Sequence, residues 1–257
     1  MVFRSRRPAT EPCLPPGRRV YAIGDIHGEA DLLIRLLEAI RVDSHARPPA
    51  AVTLVFLGDF IDRGKDSATL LKVFSLADAD AEDVKVLKGN HEAALVDVYR
   101  GDEEAMAFWL RYGGRPTLDG LGVGITADMA ETLARLRATL DSGIVDWLDG
   151  LPHCWSLGDY YFTHAGIRPR VRLARQDPDD LLWIREPFLS SKRRYEKIIV
   201  HGHTVENGPP MLGGNRIGID TGAHENGCLT ALGLEGNAQW LIQASDGRTR
   251  TVSPTLG

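Results

Sequence analysis

Two carboxylates and a guanidinium, those of Asp59, Asp62 and Arg63, lie within five residues of one another, directly after the apolar run from Ala51 to Leu57. That run is short, β-branched and nearly uncharged, which predicts an interior strand of a mostly parallel sheet. The charged segment therefore follows the carboxyl end of a strand, where open α/β sheets bind their ligands. We expect Asp59 to join two metal ions and Arg63 to hold a phosphate group.

The chain around this segment repeats a unit of strand, polar loop and helix. Apolar residues at helical spacing follow the first strand, and the same order occurs three times in succession, which predicts a parallel sheet with right-handed crossovers. Later segments have the shorter spacing of strands separated by Gly, Asn or Asp, and we expect them to form a second sheet. The predicted strands are 19–23, 51–57, 84–87, 160–163, 198–200, 216–219, 229–234 and 239–243.

Metal-capable side chains follow nearly every predicted strand. Carboxylate, imidazole and amide groups suit Mn, Fe or Zn better than the all-oxygen shell that calcium prefers. One such loop alone would be an ordinary turn, since Asp and Asn are common turn residues. Several loops that converge on one edge of a sheet predict a site instead. The residues concerned are Asp25, His27, Asp59, Asn90, His91, His164 and His203.

Five motifs between about residues 20 and 230 resemble those of the phosphoprotein phosphatases, within the calcineurin-like metallophosphoesterases. They occur in that family's order and are Gly24–Gly28 (GDIHG), Gly58–Gly64 (GDFIDRG), Gly89–Glu92 (GNHE), Thr163–Gly166 (THAG) and His201–Thr204 (HGHT). The resemblance implies an α/β fold, an α+β sandwich of two central β-sheets flanked by helices with a helical cap insertion.

The resemblance also implies a centre of two divalent metal ions, most simply Mn, with Fe or Zn as alternatives. Asp25, His27 and Asp59 would hold one ion, and Asp59, Asn90, His164 and His203 would hold the other, so that Asp59 is the bridge. A hydroxide between the two ions would attack phosphorus directly, because metal binding lowers the pKa of water from 15.7 toward about 7. No covalent enzyme intermediate is then required.

The same resemblance assigns catalytic and phosphate-binding roles. His91 would protonate the leaving alkoxide, and Asp62 would orient and charge its imidazole; an alternative for Asp62 is turn capping alone. Arg63, Arg185 and Asn90 would bind the phosphate, since a guanidinium can bind two oxygens in one plane. The alternative role for Arg185 is a salt bridge with Glu186 or Asp180.

The 257 residues, with 43% apolar and 25% charged side chains, are sufficient for one substantial core. We expect a flexible tail at 1–18 and a single domain at 19–250. Within it, about 101–150 form a helical cap over the loops, a helical layer packed on the sheet, or both. The spacing Trp-Leu-x-x-Gly-Gly-x-x-Thr-Leu in this segment resembles the family's bacterial branch, and Trp109, Tyr112 and Arg115 within it are expected to select the substrate.

The formal charge of −5, without a broad basic face, argues against nucleic acid as a partner. No apolar run reaches the roughly 18 residues of a membrane span, and no signal-peptide segment is evident, so we expect a cytoplasmic protein without membrane contact. Nothing in the sequence resembles the surfaces that bind regulatory subunits in the eukaryotic phosphatases.

Three hypotheses for the function follow. The first is a bacterial-type phosphatase that hydrolyses phosphomonoesters, on phosphoserine, phosphothreonine and also phosphotyrosine of proteins or on small phosphoesters. The second is a hydrolase of diadenosine tetraphosphate or a related nucleotide. The family's dinucleotide-hydrolysing members usually lack the Asp-Arg pair and carry Asp in place of Glu92, so Asp62, Arg63 and Glu92 favour the first. The third, a non-catalytic metal-binding scaffold, is disfavoured because no expected residue is missing.

Overall fold

The computed structural model describes residues 11–76, 83–205, 214–245 and 247–252. These ranges contain ten strands and nine α-helices. The strands are β1 (Arg18–Ile23), β2 (Ala51–Phe56), β3 (Val84–Val86), β4 (Cys154–Leu157), β5 (Tyr160–Thr163), β6 (Ile198–His201), β7 (Arg216–Gly218), β8 (Cys228–Glu235), β9 (Ala238–Ser245) and β10 (Arg248–Val252). The helices are α1 (Ala30–His45), α2 (Ser67–Ser75), α3 (Asn90–Arg100), α4 (Glu103–Arg111), α5 (Arg115–Gly120), α6 (Met129–Thr139), α7 (Ser142–Gly150), α8 (Pro178–Trp183) and α9 (Ala223–Asn226).

Two sheets form the centre of the fold, which confirms the predicted class. The first has the strand order β10-β9-β8-β1-β2-β3, and the second has the order β4-β5-β6-β7. The strands of the three predicted strand–helix units, β1, β2 and β3, are parallel, with Ile23 opposite Phe56. The carboxyl ends of these three strands therefore meet at one edge of the sheet.

The later strands do not all belong to the second sheet, so that prediction is wrong for β8 and β9. β8 pairs antiparallel with β1, with Ile23 opposite Ala231, and β9 and β10 continue the same sheet. The residues from Leu229 to Leu234 are buried, so this segment needs cover on both faces. Its apolar composition predicts a strand but does not indicate which strand is its partner.

Side-chain alternation along β1 divides the core into layers. Val20 and Ala22 face the second sheet, whereas Tyr21 and Ile23 face the helices, as expected for a strand buried on both sides. Tyr160 and Phe162 of β5 meet Val20 and its neighbours between the sheets. A third cluster packs on the outer face of the second sheet.

The predicted cap at about 101–150 is helical, but most of it packs as a layer beside the sheet. We refer to α4–α7 as the helical layer. Asp102, Asp128 and Asp141 accept backbone N–H groups at the starts of α4, α6 and α7, a common way to begin a helix. The layer packs on α2 and α3, and Leu118 and Leu148 are fully buried there.

Residues 11–18 differ from the predicted flexible tail, whereas 1–10 lie outside the described residues. Leu14 is only 1% exposed and belongs to the core between the sheets, and its N–H donates to the Gly236 carbonyl at 2.8 Å. The single apolar side chain of a Pro-rich segment was too weak a signal to predict this packing. Among the described residues, none of the helices combines the length and apolar character needed to cross a lipid bilayer.

Candidate active site

Loops from the ends of five strands meet at one place between the two sheets. Asp25 and His27 follow β1, Asp59 follows β2, Asn90 begins α3 just after β3, and His164 follows β5. These five residues are buried, and the half-buried His203 after β6 completes the group. The structure thus brings together the six residues that the family resemblance implies as metal ligands, although Asp25 lies outside the two compact donor groups and His91 stands beside His27 and Asp59 instead. The ligand roles stay predictions.

The donor atoms form two groups that share Asp59. One group contains His27, Asp59 and His91, the other contains Asp59, His164 and His203, and within each group the atoms lie within 4.8 Å of one another. The Asp59 Oδ2 atom is 3.6 Å from His27 Nε2 and 3.5 Å from His164 Nε2. Asp59 therefore occupies the position that a bridging carboxylate requires.

Asn90 joins the second group through its side-chain oxygen. Asn90 Oδ1 lies 2.8 Å from His164 Nε2 and 2.8 Å from His203 Nδ1. The carboxylate of Asp25 instead accepts the His203 backbone N–H, at 3.0 and 3.2 Å for its two oxygens. A Cβ atom on Gly202 would lie 2.0 Å from Asp25 Oδ1, so only glycine fits before His203.

Backbone carbonyls set the orientation of two imidazoles. His27 Nδ1 lies 3.0 Å from the Ile61 carbonyl, and His164 Nδ1 lies 2.9 Å from the Leu57 carbonyl. A carbonyl can only accept, so each Nδ1 carries the proton. Each Nε2 then presents a lone pair, and that of His164 faces another acceptor, Asn90 Oδ1, at 2.8 Å, a contact that a cation between the two atoms would stabilise. This is the tautomer that a metal ligand needs.

The charges at the site favour bound cations. Burial lowers the pKa of His27 to about 3 and lowers that of His164, so these rings are neutral and able to ligate. Burial and the neighbouring carboxylates of Asp220 and Asp59 raise the pKa of Asp25. Buried negative charge among neutral imidazoles fits divalent ions of the Mn, Fe or Zn kind. Such ions, when bound, neutralise phosphate charge and lower the pKa of a water molecule.

Left-handed backbone is concentrated at the site. Among the described residues, six non-glycine positions have positive φ, and five of them are His27, Asp59, Asp62, Arg63 and His203, with φ between 47° and 70°. Such conformations cost about 1–3 kcal/mol each for residues with a Cβ atom. The fold therefore holds these five side chains at the site although their backbone conformation is unfavourable for a residue with a Cβ atom.

Glu92 braces the loop that carries Asp59. Its fully buried carboxylate accepts the backbone N–H groups of Asp59, Phe60 and Gly89 at 2.8–3.0 Å. One side chain on α3 thereby fixes the ends of two loops. In the sequence Glu92 is only a marker of substrate class; its contacts to the Asp59 loop join residues 32 and 33 positions apart, which local sequence does not show.

His91 and Asp62 form a buried pair beside the metal-capable cluster. His91 Nδ1 lies 2.7 Å from Asp62 Oδ2, and Nε2 lies 3.9 Å from Asp59 Oδ2. Burial lowers the pKa of His91, but the carboxylates of Asp59 and Asp62 outweigh it and raise the pKa to about 9. The imidazole is therefore held in the protonated form that a general acid needs.

Arg63 and Arg185 line the same cavity, of about 460 Å³, as His27, Asp59 and His91. Arg63 Nη1 contacts Glu225 Oε1 at 2.7 Å, and Nη2 lies 3.5 Å from His91 Nε2. Glu225, on the short helix α9, is a site residue that the sequence analysis missed. A substrate phosphate on Arg63 would compete with this carboxylate.

Arg185 reaches the cavity from the loop after α8. Its nearest polar partners are Thr204 Oγ1, at 3.4 Å, and the His203 carbonyl, at 3.5 Å. The two carboxylates considered as alternative partners are engaged elsewhere. Asp180 pairs with Arg168, and Glu186 accepts the hydroxyl of Ser190. The geometry favours a phosphate-binding role for Arg185 over a structural salt bridge.

The three residues expected to select the substrate have different positions. Trp109 is 1% exposed and points at Asp62 rather than into the cavity. Arg115 lies outside the lining of this cavity, 3.8 Å from Asp119. Tyr112 does line the cavity, so of the three it alone is placed to contact a substrate, and its role in selection stays a prediction. Trp109 and Tyr112 are three residues apart, so helical spacing places them nearly on one face. Their different surroundings, Trp109 buried and Tyr112 in the cavity, become visible only in the packed structure.

An aromatic shelf, which we define as Phe108, Tyr112 and Trp183, borders the cavity. These side chains are 40%, 47% and 38% exposed. The Phe108 ring centroid lies 4.4 Å from that of Tyr112 and 5.5 Å from that of Trp183. The cavity thus combines exposed aromatic surface with two guanidinium groups, a combination of apolar and charged lining that is typical of ligand-binding sites.

Fold and site together define a metal-dependent phosphoesterase. Residues 18–230 match the family described as calcineurin-like phosphoesterase. The chain belongs to this family. A solved structure named as a candidate diadenosine tetraphosphatase superimposes with a TM-score of 0.59 at 22% identity, over 98% of this chain and 97% of that one, which shows a shared fold.

The curated relatives include two kinds of phosphatase. A protein of Xanthomonas euvesicatoria named "Bis(5'-nucleosyl)-tetraphosphatase, symmetrical" is 32% identical over 87% of this chain and 83% of its own length. One of that name from Dechloromonas aromatica is 32% identical over 60% of this chain, and the match spans 46% of that relative. A serine/threonine-protein phosphatase of Arabidopsis thaliana is 34% identical over 60% of this chain and 17% of its own length. The near-full-length similarity thus favours the second hypothesis of the sequence analysis over the first.

Proposed function

We propose that this chain hydrolyses the polyphosphate bridge of a dinucleoside tetraphosphate such as diadenosine tetraphosphate. Water adds to a phosphorus atom in the middle of the bridge, the bond from that phosphorus to the central bridging oxygen breaks, and two nucleoside diphosphates leave. The observation that carries this proposal is the shared cavity. Donors for two metal ions, two guanidinium groups and three exposed aromatic rings line one volume of about 460 Å³.

Each part of that cavity suits one part of the substrate. The donor set around Asp59 and the guanidinium groups of Arg63 and Arg185 suit the bridge, since a guanidinium binds phosphate oxygens in a fixed plane. The aromatic shelf suits a base, because stacking of a base on an aromatic side chain contributes about 1–3 kcal/mol. The similarity to the symmetrical tetraphosphatases, along most of both chains, points in the same direction.

A panel of substrates tests the proposal directly. With the same manganese-loaded sample, we expect kcat/KM for diadenosine tetraphosphate to exceed that for a phosphothreonine peptide and a phosphotyrosine peptide. Chromatography of the products should show ADP alone from diadenosine tetraphosphate. A kcat/KM that is higher for either peptide would contradict the proposal.

A variant of the shelf gives a second prediction. Phe108→Ser is expected to raise KM for diadenosine tetraphosphate about tenfold, the equivalent of one lost stacking contact, with a smaller change for the small alkyl ester β-glycerophosphate. Steady-state kinetics on both substrates measure this. Val73→Ser, at an exposed apolar position on α2, is the matched control and should change neither KM. An equal rise in KM for both substrates would show that the aromatic shelf does not bind the base.

Hydrolysis of phosphomonoesters on proteins remains the second candidate, and the pair of His91 and Asp62 favours it. An alkoxide is a poor leaving group, and a positioned acid contributes about 10²–10⁴ in rate to its departure. A phosphoanhydride leaves more readily and depends less on such an acid. The structure provides such an acid in His91, whose Nδ1 lies 2.7 Å from the buried carboxylate of Asp62. The site could therefore assist the departure of an alkoxide as well as that of a phosphoanhydride.

A further inference from the structure

The carboxylate of Asp62 is fully buried and is surrounded by three side-chain donors. His91 Nδ1 and Trp109 Nε1 approach Oδ2 at 2.7 and 2.6 Å, and Thr117 Oγ1 approaches Oδ1 at 2.5 Å. Hydrogen bonds to a charged acceptor are short and about twice as strong as neutral ones. Asp62 is thus fixed on both oxygens, with His91 as only one of its partners.

The other two donors come from the helical layer. Trp109 lies on α4 and Thr117 on α5, and both are buried. In sequence they are 47 and 55 residues from Asp62. The helical layer therefore reaches the catalytic loop through two specific hydrogen bonds as well as through apolar packing.

The two glycines between Trp109 and Thr117 permit this approach. A Cβ atom on Gly114 would lie 2.3 Å from the Trp109 ring, and one on Gly113, whose φ is +120°, would lie 2.6 Å from Arg63 Cγ. The Gly113 carbonyl also accepts the Arg63 N–H at 2.9 Å. The spacing Trp-Leu-x-x-Gly-Gly-x-x-Thr-Leu thus has a physical explanation as one unit that docks on the Asp62–Arg63 loop.

Packing alone does not account for these contacts. An apolar core position would accept Phe in place of Trp109 and Val in place of Thr117, whereas here the indole N–H and the hydroxyl both end on a buried charge. An ionised carboxylate in a buried place is stable only when its lone pairs are satisfied. Trp109 and Thr117 satisfy the lone pairs that His91 leaves.

We propose that Trp109 and Thr117 are positioning residues that act on catalysis through Asp62 and His91. They fix the Asp62 carboxylate, which in turn fixes the ring of His91 with Nε2 toward the cavity. As the bond from phosphorus to the leaving oxygen breaks, His91 Nε2 gives its proton to that oxygen and the ring becomes neutral. This inference rests on the acid role proposed for His91 but not on the identity of the substrate.

The test compares two aryl phosphates that differ in their need for an acid. Phenyl phosphate has the poorer leaving group and 4-nitrophenyl phosphate the better one. For Trp109→Phe and Thr117→Val, we expect kcat with phenyl phosphate to fall about tenfold, a part of the 10²–10⁴ that a general acid supplies, and kcat with 4-nitrophenyl phosphate to fall much less. Thr117→Ser retains a hydroxyl and should restore most of the loss. Manganese affinity, measured by calorimetry, should match that of the unmodified chain.

Two residues of the same helical layer, the partly buried Trp147 and the fully buried Thr132, serve as matched controls. Trp147→Phe changes an indole that contacts Phe60, and Thr132→Val removes a hydroxyl that bonds Thr126. Neither is expected to alter the ratio of the two kcat values. These controls separate a loss of acid positioning from a general loosening of the layer.

The results for these variants either support or overturn the positioning role of Trp109 and Thr117. A selective fall with phenyl phosphate in Trp109→Phe and Thr117→Val, together with rescue by Thr117→Ser, supports the inference. An equal fall with both substrates, or no fall in either variant, overturns it. His91→Asn in the same assay separates this inference from the proposed acid role, because the absence of leaving-group selectivity in His91→Asn would show that the acid role itself has failed.

Discussion

Asp59→Asn is expected to reduce kcat/KM by more than about 100-fold, since even partners outside the ligand set of metal sites typically contribute 10–100-fold. Asn retains the shape of the side chain and an oxygen that can still accept the His91 backbone N–H, which donates to Asp59 Oδ1 at 3.0 Å. The variant loses the negative charge and replaces one carboxylate oxygen by an NH₂ group, which cannot ligate a metal ion. That charge lies at the one residue common to both groups of donor atoms.

Metal loading provides a measurement of this variant that is independent of activity. A ligand that binds the folded state at 100 times its Kd stabilises it by about 2.7 kcal/mol. For a chain of this size we expect Mn²⁺ to raise the Tm of the unmodified protein by about 5 °C or more, and EDTA to remove both the shift and the activity. Asp59→Asn should show little or no shift.

Asp31→Asn is the matched control for Asp59→Asn. Asp31 is exposed, with its nearest cationic partner, Lys65, at 3.9 Å, and surface pairs of this kind contribute little. The activity of the Asp31→Asn variant and its response to Mn²⁺ should equal those of the unmodified chain. An Asp59→Asn variant that hydrolyses 4-nitrophenyl phosphate at the unmodified rate would disprove the bridging role.

His91→Asn is expected to have the second large effect, and its size should depend on the substrate. The loss in kcat should be about 10²–10⁴ for a phosphothreonine peptide or another alkyl ester, where the leaving oxygen needs a proton. It should be much smaller for diadenosine tetraphosphate, whose leaving group is a stable anion. The ratio of the loss in kcat for the ester to the loss in kcat for diadenosine tetraphosphate measures how much more the ester depends on the acid.

The pH dependence of the same variant follows from the charge of His91. With the pKa raised to about 9 in the described structure, the acid is protonated below this value, so kcat for an ester should fall as the pH rises through the pKa of His91. His91→Asn should lack that fall. His45→Asn, at the exposed end of α1, serves as the control. Equal losses for ester and anhydride would contradict a role of His91 as an acid.

Much of the site could be predicted because the informative residues stand at the ends of strands. Polar side chains such as Asp25 and His27 interrupt apolar runs, and such interruptions are visible in the sequence itself. The parallel order of β1, β2 and β3 follows from the same alternation of strand and helix. The family motifs predict the role of each of these residues, and the fold brings the residues together at one site.

The remaining features depend on contacts between distant parts of the chain. The pairing of β8 with β1, the Glu225 contact to Arg63 and the Trp109 bond to Asp62 join residues that are far apart in sequence. Local patterns contain no information on such partners, because an apolar strand can pair with many others and a surface Glu with many cations. Residue types can be read from the sequence, whereas these contacts require the fold.

The same long-range contacts have a consequence for the order in which the protein becomes active during synthesis. Asp25 accepts the backbone N–H of His203, 178 residues later, and one side of β1 is covered by β8, which begins at Cys228. At about 5–20 residues per second, a ribosome would need roughly nine seconds or more to add the 178 residues that separate Asp25 from His203. Through that interval β1 lacks a partner on one side and the site lacks His203, so a nascent chain is inactive and presents an open strand edge. Chaperone occupancy of newly made chains should therefore stay high until β8 is free to pair with β1.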